Sequence, residues 1–373
     1  MSKLLRDVFN IEAIKGLTDR LKSAYSPLNS DLFYKDATSD LSELDYGERI
    51  ELITDAIHKH LPKDYDTAVT ILLNSLPPAI EATGDFKFQS RDFINLPHCR
   101  YISKFGLDNF DLSINALKEM TSRFTSEYDM RYIIEKYPQE SIALIKTWVN
   151  HENLHIRRLA SEGTRPRLPM GKRLQIFVKD PSPILPILEA LKNDESLYVR
   201  RSVANSLNDI SKDHPDLAAD IAEQWLKEDF EHAKWVCNHA MRSLFKAGHV
   251  KALAISGYPE PKGVEVWGID IKDTTLQVGD DLQFSFVVDN NSEEDINLMI
   301  DFELILLKNN KKYSPKVFKL KKTILKSGKK LKLFAKHPFR ERTTRKYYSG
   351  KQYVRVVING ERQAPVQFYL HQG

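Results

Sequence analysis

The densest group of residues able to do chemistry lies between positions 156 and 173, where six basic side chains accompany a single acid, Glu162. Guanidinium and ammonium groups bind phosphate oxygens well, so the segment is suited to an anionic partner. Arg158 and Glu162 are four residues apart and would share a helix face, and Gly163 and Pro166 would end that helix soon afterwards. A pair at this spacing is more often a surface salt bridge, and spacing alone leaves both interpretations open.

An internal repeat indicates which elements position this segment. The string VNHENLHIRRLASEG from Val149 aligns with KNDESLYVRRSVANS from Lys192, with the paired arginines in register. A weaker third copy begins at Leu226. A period near ~40 residues, built from helix pairs, is typical of HEAT-like repeats, whose second helices form much of a concave face. The preceding ~110 residues have helical spacing without an assignable repeat.

Residues 256–263, SGYPEPKG, separate this helical spacing from an alternating pattern. From Leu282 to Val288 apolar residues occupy every second position, and similar stretches follow. About seven short strands in ~110 residues predict an immunoglobulin-like sandwich. The predicted organisation is an all-α HEAT-like repeat solenoid (1–257), a linker (258–263) and an all-β immunoglobulin-like sandwich (264–373).

Basic charge is concentrated in the predicted sandwich. The whole chain has 55 Lys or Arg and 51 Asp or Glu, whereas residues 308–346 have sixteen bases and one acid. We call residues 308–346 the basic stripe; it includes Lys319, Lys321 and Lys322. Nucleic acid is one natural partner of such a face, because neutralising phosphates releases counterions. A solvated lysine-rich strand edge that resists aggregation fits the charge equally well.

Several classes of protein are disfavoured. Cys99 and Cys237 are the two cysteines and form no CxxC motif, so we expect a reducing compartment and no structural zinc. The charged N-terminus and the lack of a run of ~18 apolar residues predict no signal peptide and no membrane span. There is no P-loop, HExxH or GxSxG motif. We therefore expect a cytoplasmic protein without a metal ion.

Three strings carry a resemblance to a known family: SEGTRPRLP at residues 161–169, SVANSLNDISKDHP from Ser202, and FTSEYDMRYII from Phe124. Together they resemble the AlkC-type alkylpurine DNA glycosylases of the HEAT-like repeat superfamily. The resemblance covers most of the chain, including an immunoglobulin-like domain that a subset of the family carries. It implies a monofunctional glycosylase that removes cationic methylated bases, chiefly 3-methyladenine and also 3-methylcytosine, without a metal or cofactor.

Carried over by these strings, the family's acidic site residues fall on Glu127, Glu162 and Asp209. The last two lie in second helices of adjacent predicted repeats, and Glu127 would begin a helix one repeat earlier. An N3-methylated base is already a cation and a good leaving group, so the acids need not protonate it. Clustered carboxylates would instead stabilise an oxocarbenium-like sugar and orient water. Simple helix-start or ion-pair roles are the alternatives.

Guanidinium and ammonium groups suit backbone phosphates, so the basic residues indicate which side chains could contact DNA. Family members generally have Trp after the Leu-Pro of the SEGTRPRLP string, whereas this chain has Met170, which still offers an apolar surface to a base or sugar. The candidate DNA contacts are Arg158, Arg165, Arg167, Met170, Lys172, Arg173, Lys319, Lys321 and Lys322.

These observations predict a two-domain, monomeric, cytoplasmic DNA repair glycosylase that acts on duplex DNA. The alternative is a non-catalytic HEAT-repeat DNA-binding or scaffold protein, in which the carboxylates only pair with arginines.

Overall fold

The structure is a computed structural model that describes residues 5–80, 90–340 and 346–372. Residues 341–345 of the basic stripe lie outside the described residues. The chain divides into two compact units, Met1–His214 with Trp225–Ala240, and Pro215–Gln224 with Met241–Gly373. These are the helical unit and the C-terminal unit. No helix in the described ranges has the length and apolar character that crossing a bilayer requires.

Amphipathic helices with ordinary capping signals build the first part of the chain. α3, for example, begins with a capping box in which Asp45 and Glu48 bond to each other's backbone N–H groups. The helices of the described residues are α1 (Ile11–Ala24), α2 (Ser30–Ala37), α3 (Tyr46–His60), α4 (Tyr65–Asn74), α5 (Leu96–Phe105), α6 (Phe110–Thr121), α7 (Glu127–Lys136), α8 (Pro138–Thr147), α9 (Leu154–Glu162), α10 (Gln175–Lys179), α11 (Leu185–Leu191), α12 (Leu197–Ile210), α13 (Pro215–Glu228), α14 (Ala233–Ala240), α15 (Arg242–Ala247) and α16 (Val250–Ile255).

The repeated arginine of the helical unit makes equivalent main-chain contacts in both copies. Arg157 in α9 and Arg200 in α12 each point the guanidinium back at the turn before their own helix. Arg157 Nη1 donates to the carbonyls of His151 and Glu152, both at 3.0 Å, and Arg200 Nη1 donates to those of Asp194 and Glu195, at 2.6 and 3.0 Å. The sequence repeat is therefore also a repeat of contacts.

Strands of the C-terminal unit form two sheets, which confirms the predicted helical part followed by an immunoglobulin-like β part. Over the described residues the strands are β1 (Val264–Ile271), β2 (Thr275–Gln277), β3 (Asp281–Asn290), β4 (Ile296–Leu307), β5 (Tyr313–Leu325), β6 (Lys330–Pro338), β7 (Gly350–Ile358), β8 (Glu361–Arg362) and β9 (Val366–His371). One sheet has the order β1-β3-β6 and the other β2-β9-β7-β4-β5, with β8 paired to β7. The predicted alternation holds: Leu282, Phe284, Phe286 and Val288 are buried in the core between the sheets.

Two short helices belong to the same compact unit as the strands. Arg362, next to the β7–β8 turn, donates to the carbonyls of Lys246 and Ala247 at the end of α15, both at 3.2 Å. Gly248 and Gly360 meet there so closely that a Cβ on Gly360 would lie 2.6 Å from the Cα of Gly248. Both have positive φ, so glycine is required at this contact for its shape and its conformation.

Candidate active site

The ends of three helices bring the three predicted acids together. α7 begins at Glu127, α9 ends at Glu162, and Asp209 lies in the last turn of α12. The exposed fractions of the three residues are 4%, 6% and 1%. A surface salt bridge, the simplest alternative for Glu162, is therefore wrong, because the cluster is buried.

Two arginines link these carboxylates into what we call the carboxylate network: Glu127, Arg158, Glu162, Arg165 and Asp209. Arg158 lies between the two glutamates, with Nη1 3.1 Å from Glu127 Oε2 and Nη2 3.4 Å from Glu162 Oε1. Arg165 lies between Glu162 and Asp209, donating from Nη1 to Glu162 Oε1 at 2.7 Å and from Nε to Asp209 Oδ2 at 2.8 Å. Acidic and basic groups thus alternate, so each buried charge has an opposite neighbour.

Outer contacts hold this network at both ends. Lys212 Nζ donates to Asp209 Oδ1 at 2.9 Å, and Arg158 Nη1 donates to Thr125 Oγ1 at 3.2 Å. The Arg158 guanidinium also lies over the ring of Tyr198, 5.0 Å from its centre, in a cation–π contact. The side chains are therefore fixed before any ligand arrives, which favours electrostatic preorganisation.

The pKa values of the two glutamates are shifted in opposite directions. Burial raises the pKa of Glu127 above its ordinary value, although Arg158 offsets part of the rise. Burial acts on Glu162 too, but Arg158 and Arg165 together hold the pKa of that carboxyl below its ordinary value. Carboxyls whose pKa values are pushed apart by their surroundings can take different roles at one pH. Glu162 is the one that stays ionised most readily.

The predicted phosphate contacts fall into two groups. Arg158 and Arg165 are inside the carboxylate network, whereas Arg167, Lys172 and Arg173 lie nearer the surface on the loop between α9 and α10. We call this segment, residues 163–174, the 163–174 loop. Arg167 binds both oxygens of Asp213, at 2.6 and 2.7 Å, and Lys172 pairs with Glu135. Exposed pairs like these cost little to open when a phosphate approaches.

Met170 forms the tip of the 163–174 loop. It is 73% exposed and has a φ of 62°, in the left-handed region that side chains other than glycine rarely adopt. The Gly171 N–H donates to the Leu168 carbonyl at 3.2 Å and closes the turn. A strained turn therefore presents an apolar side chain to solvent, as a residue that meets a ligand would be presented.

Lys319, Lys321 and Lys322 are all exposed and lie on β5, the edge strand of the larger sheet. A one-residue irregularity falls in the pairing of β5 with β4, where Lys321 faces Ile300 and Lys319 faces Asp301. None of the three lysines forms an ion pair with a carboxylate of the described residues. Lys322 Nζ lies over the ring of Tyr258, 4.8 Å from its centre, and all three lysines are exposed to an anionic partner.

A cavity of about 280 Å³ lies among α3, α5, α7 and the 163–174 loop. Its wall includes Tyr46, Glu51, Arg100, Tyr128, Asp129 and Met170. Asp129 is buried and accepts a hydrogen bond from Ser103 Oγ at 2.6 Å. Burial raises the pKa of Asp129 to about 6. The cavity therefore has an acid that changes charge near neutral pH.

Asp129→Asn should stabilise the fold above pH 6 and change little near pH 4. A carboxyl whose pKa rises on folding favours the folded state while protonated, and that contribution is lost as pH rises through about 6. The shift from 3.8 corresponds to about 3 kcal/mol at most. Urea unfolding of both proteins from pH 4 to pH 8 measures the difference. If the difference in unfolding free energy between the two proteins stays constant over this pH range, Asp129 is not the titrating group.

Sequence reasoning missed two residues beside the network, Asp129 and Arg131. Both are buried in α7, and Arg131 lies one helical turn after Glu127, a spacing that places the two on one face. The four-residue spacing from Glu127 is the sequence feature that could have identified Arg131. Among the described residues, no three His, Cys, Asp or Glu side chains are grouped to hold a metal ion.

Comparison with known proteins gives consistent matches over the chain. The family described as "DNA alkylation repair enzyme" matches residues 110–244, and the C-terminal Ig-like domain family of the uncharacterised protein YhaZ matches residues 265–372. YhaZ of Bacillus subtilis is 36% identical, over 98% of this chain and 99% of its own length. The alkylpurine DNA glycosylase AlkC of Pseudomonas fluorescens, solved bound to DNA containing an abasic site analog, is 32% identical with a TM-score of 0.90, over 99% of this chain and 100% of its own.

Proposed function

The chain belongs to the AlkC-type DNA alkylation repair glycosylases, and on that premise we propose that it hydrolyses the N-glycosidic bond of cationic alkylated bases in duplex DNA. The expected substrates are 3-methyladenine and 3-methylcytosine. The observation that carries the proposal is the buried carboxylate network, with three acids linked by two arginines. The proposed enzyme is monofunctional, monomeric and cytoplasmic.

The chemistry follows from the charge of the substrate. A methyl group on a ring nitrogen that normally lacks a substituent leaves the base positively charged, so the base departs as a neutral molecule without prior protonation. The positive charge that must be stabilised then develops on the sugar. Fixed carboxylates in a surrounding of low dielectric stabilise that charge without reorganising. They also favour a cationic lesion over a neutral base.

We assign different parts to the three acids. Glu162, whose pKa is lowered, stays ionised and supplies the negative field toward the sugar. Asp209 extends that field from the other side of Arg165. Glu127, whose pKa is raised, is the acid best suited to take a proton from the attacking water.

The proposed DNA contacts divide in the same way. Arg165 is buried, the Arg158 side chain is 13% exposed, and both are paired with carboxylates, so we assign them to holding the acids rather than to phosphates. Arg167, Lys172 and Arg173 remain our candidates for phosphate contacts near the lesion. Met170, at the exposed tip, is the candidate for packing against a base or sugar.

We propose a second, non-catalytic DNA contact on β5 of the C-terminal unit. The described lysines of the basic stripe lie on both sheets, but their surroundings differ. Lys330 and Lys336 on β6 are paired with Asp289 and Asp281, at 2.9 and 2.8 Å. Lys319, Lys321 and Lys322 on β5 form no ion pair with a carboxylate of the described residues, so binding phosphate to them breaks no ion pair.

Replacing Lys319, Lys321 and Lys322 together by Ala should weaken DNA binding and flatten its salt dependence. Each lost phosphate contact lowers the slope of log K against log[salt] by about 0.9, so a total decrease of about 2 to 3 is expected. The comparison variant replaces Lys330, Lys332 and Lys336 on β6, which removes the same charge. If log K falls with log[salt] at the same slope in both triple variants, β5 is not the DNA contact.

A non-catalytic DNA-binding or scaffold protein is the second candidate, and one observation favours it. Each carboxylate of the network is paired with an arginine, as that alternative expects. The cost of burying the network argues against a purely structural role, since an apolar cluster of similar volume is often as stable.

Release of free base separates the two candidates. Duplex DNA randomly methylated to contain 3-methyladenine, 3-methylcytosine and 7-methylguanine is incubated with the protein, and the products are resolved by chromatography. We expect release of 3-methyladenine and 3-methylcytosine. DNA binding without release of any base would favour the non-catalytic candidate.

A further inference from the structure

Arg131, in α7, has a fully buried side chain whose hydrogen bonds all run to one segment. Nη1 donates to the Gly163 carbonyl at 3.1 Å, Nη2 to the Pro166 carbonyl at 3.5 Å, and Nε to the Lys172 carbonyl. All three acceptors are main-chain atoms of the 163–174 loop. We propose that Arg131 is the positioning residue of this site, fastening the loop in the shape that the carboxylate network requires.

The 163–174 loop has few bonds of its own to hold that shape. Its described backbone donors are the Gly163 N–H, which bonds to the Leu159 carbonyl of α9 at 2.8 Å, and the Arg165, Gly171 and Leu174 N–H groups, at 3.4, 3.2 and 3.2 Å. Two of its residues are prolines, which have no N–H to donate. Buried carbonyls need donors, and the Arg131 guanidinium supplies them near both ends of the loop. Without it, among the described backbone bonds, only the one from the Leu174 N–H to the Pro166 carbonyl, at 3.2 Å, joins the end of the loop to its start.

The position of Arg131 links this fastening to the chemistry. Glu127 and Arg131 lie one turn apart on α7, so one helix face provides both a network carboxylate and the donor that holds the loop. Arg165 lies between the fastened carbonyls of Gly163 and Lys172. Its bonds to Glu162 and Asp209 therefore depend on where Arg131 holds the loop.

Charged groups of the same site affect the pKa of Arg131. Burial, and next the charge of Arg165, lower its pKa to about 10, while Asp209, Glu162 and Glu127 act in the opposite direction. Arg131 thus adds positive charge in the field of all three acids. Lysine could supply the charge but not a planar fork that reaches three carbonyls at once.

The chain provides a matched control in Arg49. This arginine is also buried and also binds three main-chain carbonyls, those of Leu44, Arg6 and Phe9, at 3.1, 3.0 and 3.1 Å. None of these atoms belongs to the carboxylate network or the 163–174 loop. Arg49→Met therefore reproduces the structural cost of removing a buried carbonyl-binding arginine.

The proposal rests on the proposed glycosylase function and is tested on the full-length protein with Arg131→Met, Arg131→Lys and Arg49→Met. Single-turnover release of 3-methyladenine, per folded molecule, should fall about 10²-fold in Arg131→Met, as expected for a misplaced site. The release rate should fall less in Arg131→Lys. The affinity for methylated duplex DNA should change little in either Arg131 variant. Arg49→Met should lower the midpoint of unfolding, but its rate of base release per folded molecule should equal that of wild type. Equal rates per folded molecule in the two Met variants would overturn the proposal.

Hydrogen exchange gives a readout that needs no activity. The amides of Arg165, Gly171 and Leu174 should exchange faster in Arg131→Met than in wild type, and at the wild-type rate in Arg49→Met. Unchanged exchange in the loop would reject the positioning role, even with an active wild type. Failure of the wild type to release base would reject the proposed function instead, so the two failures are distinguishable.

Discussion

Replacing Glu162 by Gln should slow the release of 3-methyladenine by about 10² to 10³-fold while DNA binding persists. Removing one preorganised charge-stabilising group from an active site typically has an effect of this size. Glu162 lies at the centre of the network, in contact with both Arg158 and Arg165, and its pKa is held below the ordinary value, so it is ionised at neutral pH. Glutamine keeps the shape and removes the charge. Single-turnover kinetics with saturating enzyme isolate the chemical step.

Glu119→Gln is the control for this change. Glu119 pairs with Arg123 at 2.8 Å and spacing i,i+4, the same pair of residue types and spacing as Arg158 with Glu162, but Glu119 is exposed on α6 and Arg123 lies in the turn after it. Its release rate should stay within about twofold of wild type, as expected for a weak surface pair. Release by Glu162→Gln at the wild-type rate would exclude the charge of Glu162 from the mechanism.

Replacing Arg165 by Met should destabilise the protein by about 3 to 5 kcal/mol at pH 7, the usual cost of breaking a buried ion pair by removing one partner. Glu162 and Asp209 would both lose a bond shorter than 3 Å and stay buried. The deficit should shrink as pH falls, because protonation removes negative charge that Arg165 no longer neutralises. Urea unfolding at pH 7 and pH 4.5 measures both effects.

Arg167→Met serves as the control for Arg165→Met. Arg167 lies two residues further along the same loop and binds both oxygens of Asp213, but this pair is partly exposed. A partly exposed pair contributes about 0 to 1 kcal/mol. Similar losses of stability in the two variants would show that the burial of the network does not strengthen its ion pairs.

Local patterns in the sequence predict the elements that carry the site. The alignment of the two RR strings anticipates matching helices, and Arg157 and Arg200 do make equivalent contacts. The start of α7 at Glu127 and the alternation of β3 are also local features that periodicity predicts. These predictions succeed because helix ends and strand faces depend on neighbouring residues in the chain.

Such local patterns do not predict the surroundings of the second arginine in each repeat copy. Arg158 is largely enclosed by the carboxylate network, whereas Arg201, at the equivalent position, is exposed. What separates them is the presence of Glu127 and Tyr198, which come from other helices. Assigning Arg158 and Arg165 to phosphates relied on residue type alone. The burial of a charge depends on residues distant in the sequence, and only the fold brings those together.

The packing of α15 and α16 within the C-terminal unit bears on how such domains are gained or lost in evolution. Arg362 binds the last carbonyls of α15, and Leu253 of α16 lies against Gly360. A gene truncated after the linker would leave those carbonyls without their donor and part of an apolar helix face uncovered. Loss of the β domain would therefore also remove contacts of the two helices before it, so these helices and the β domain form one structural unit.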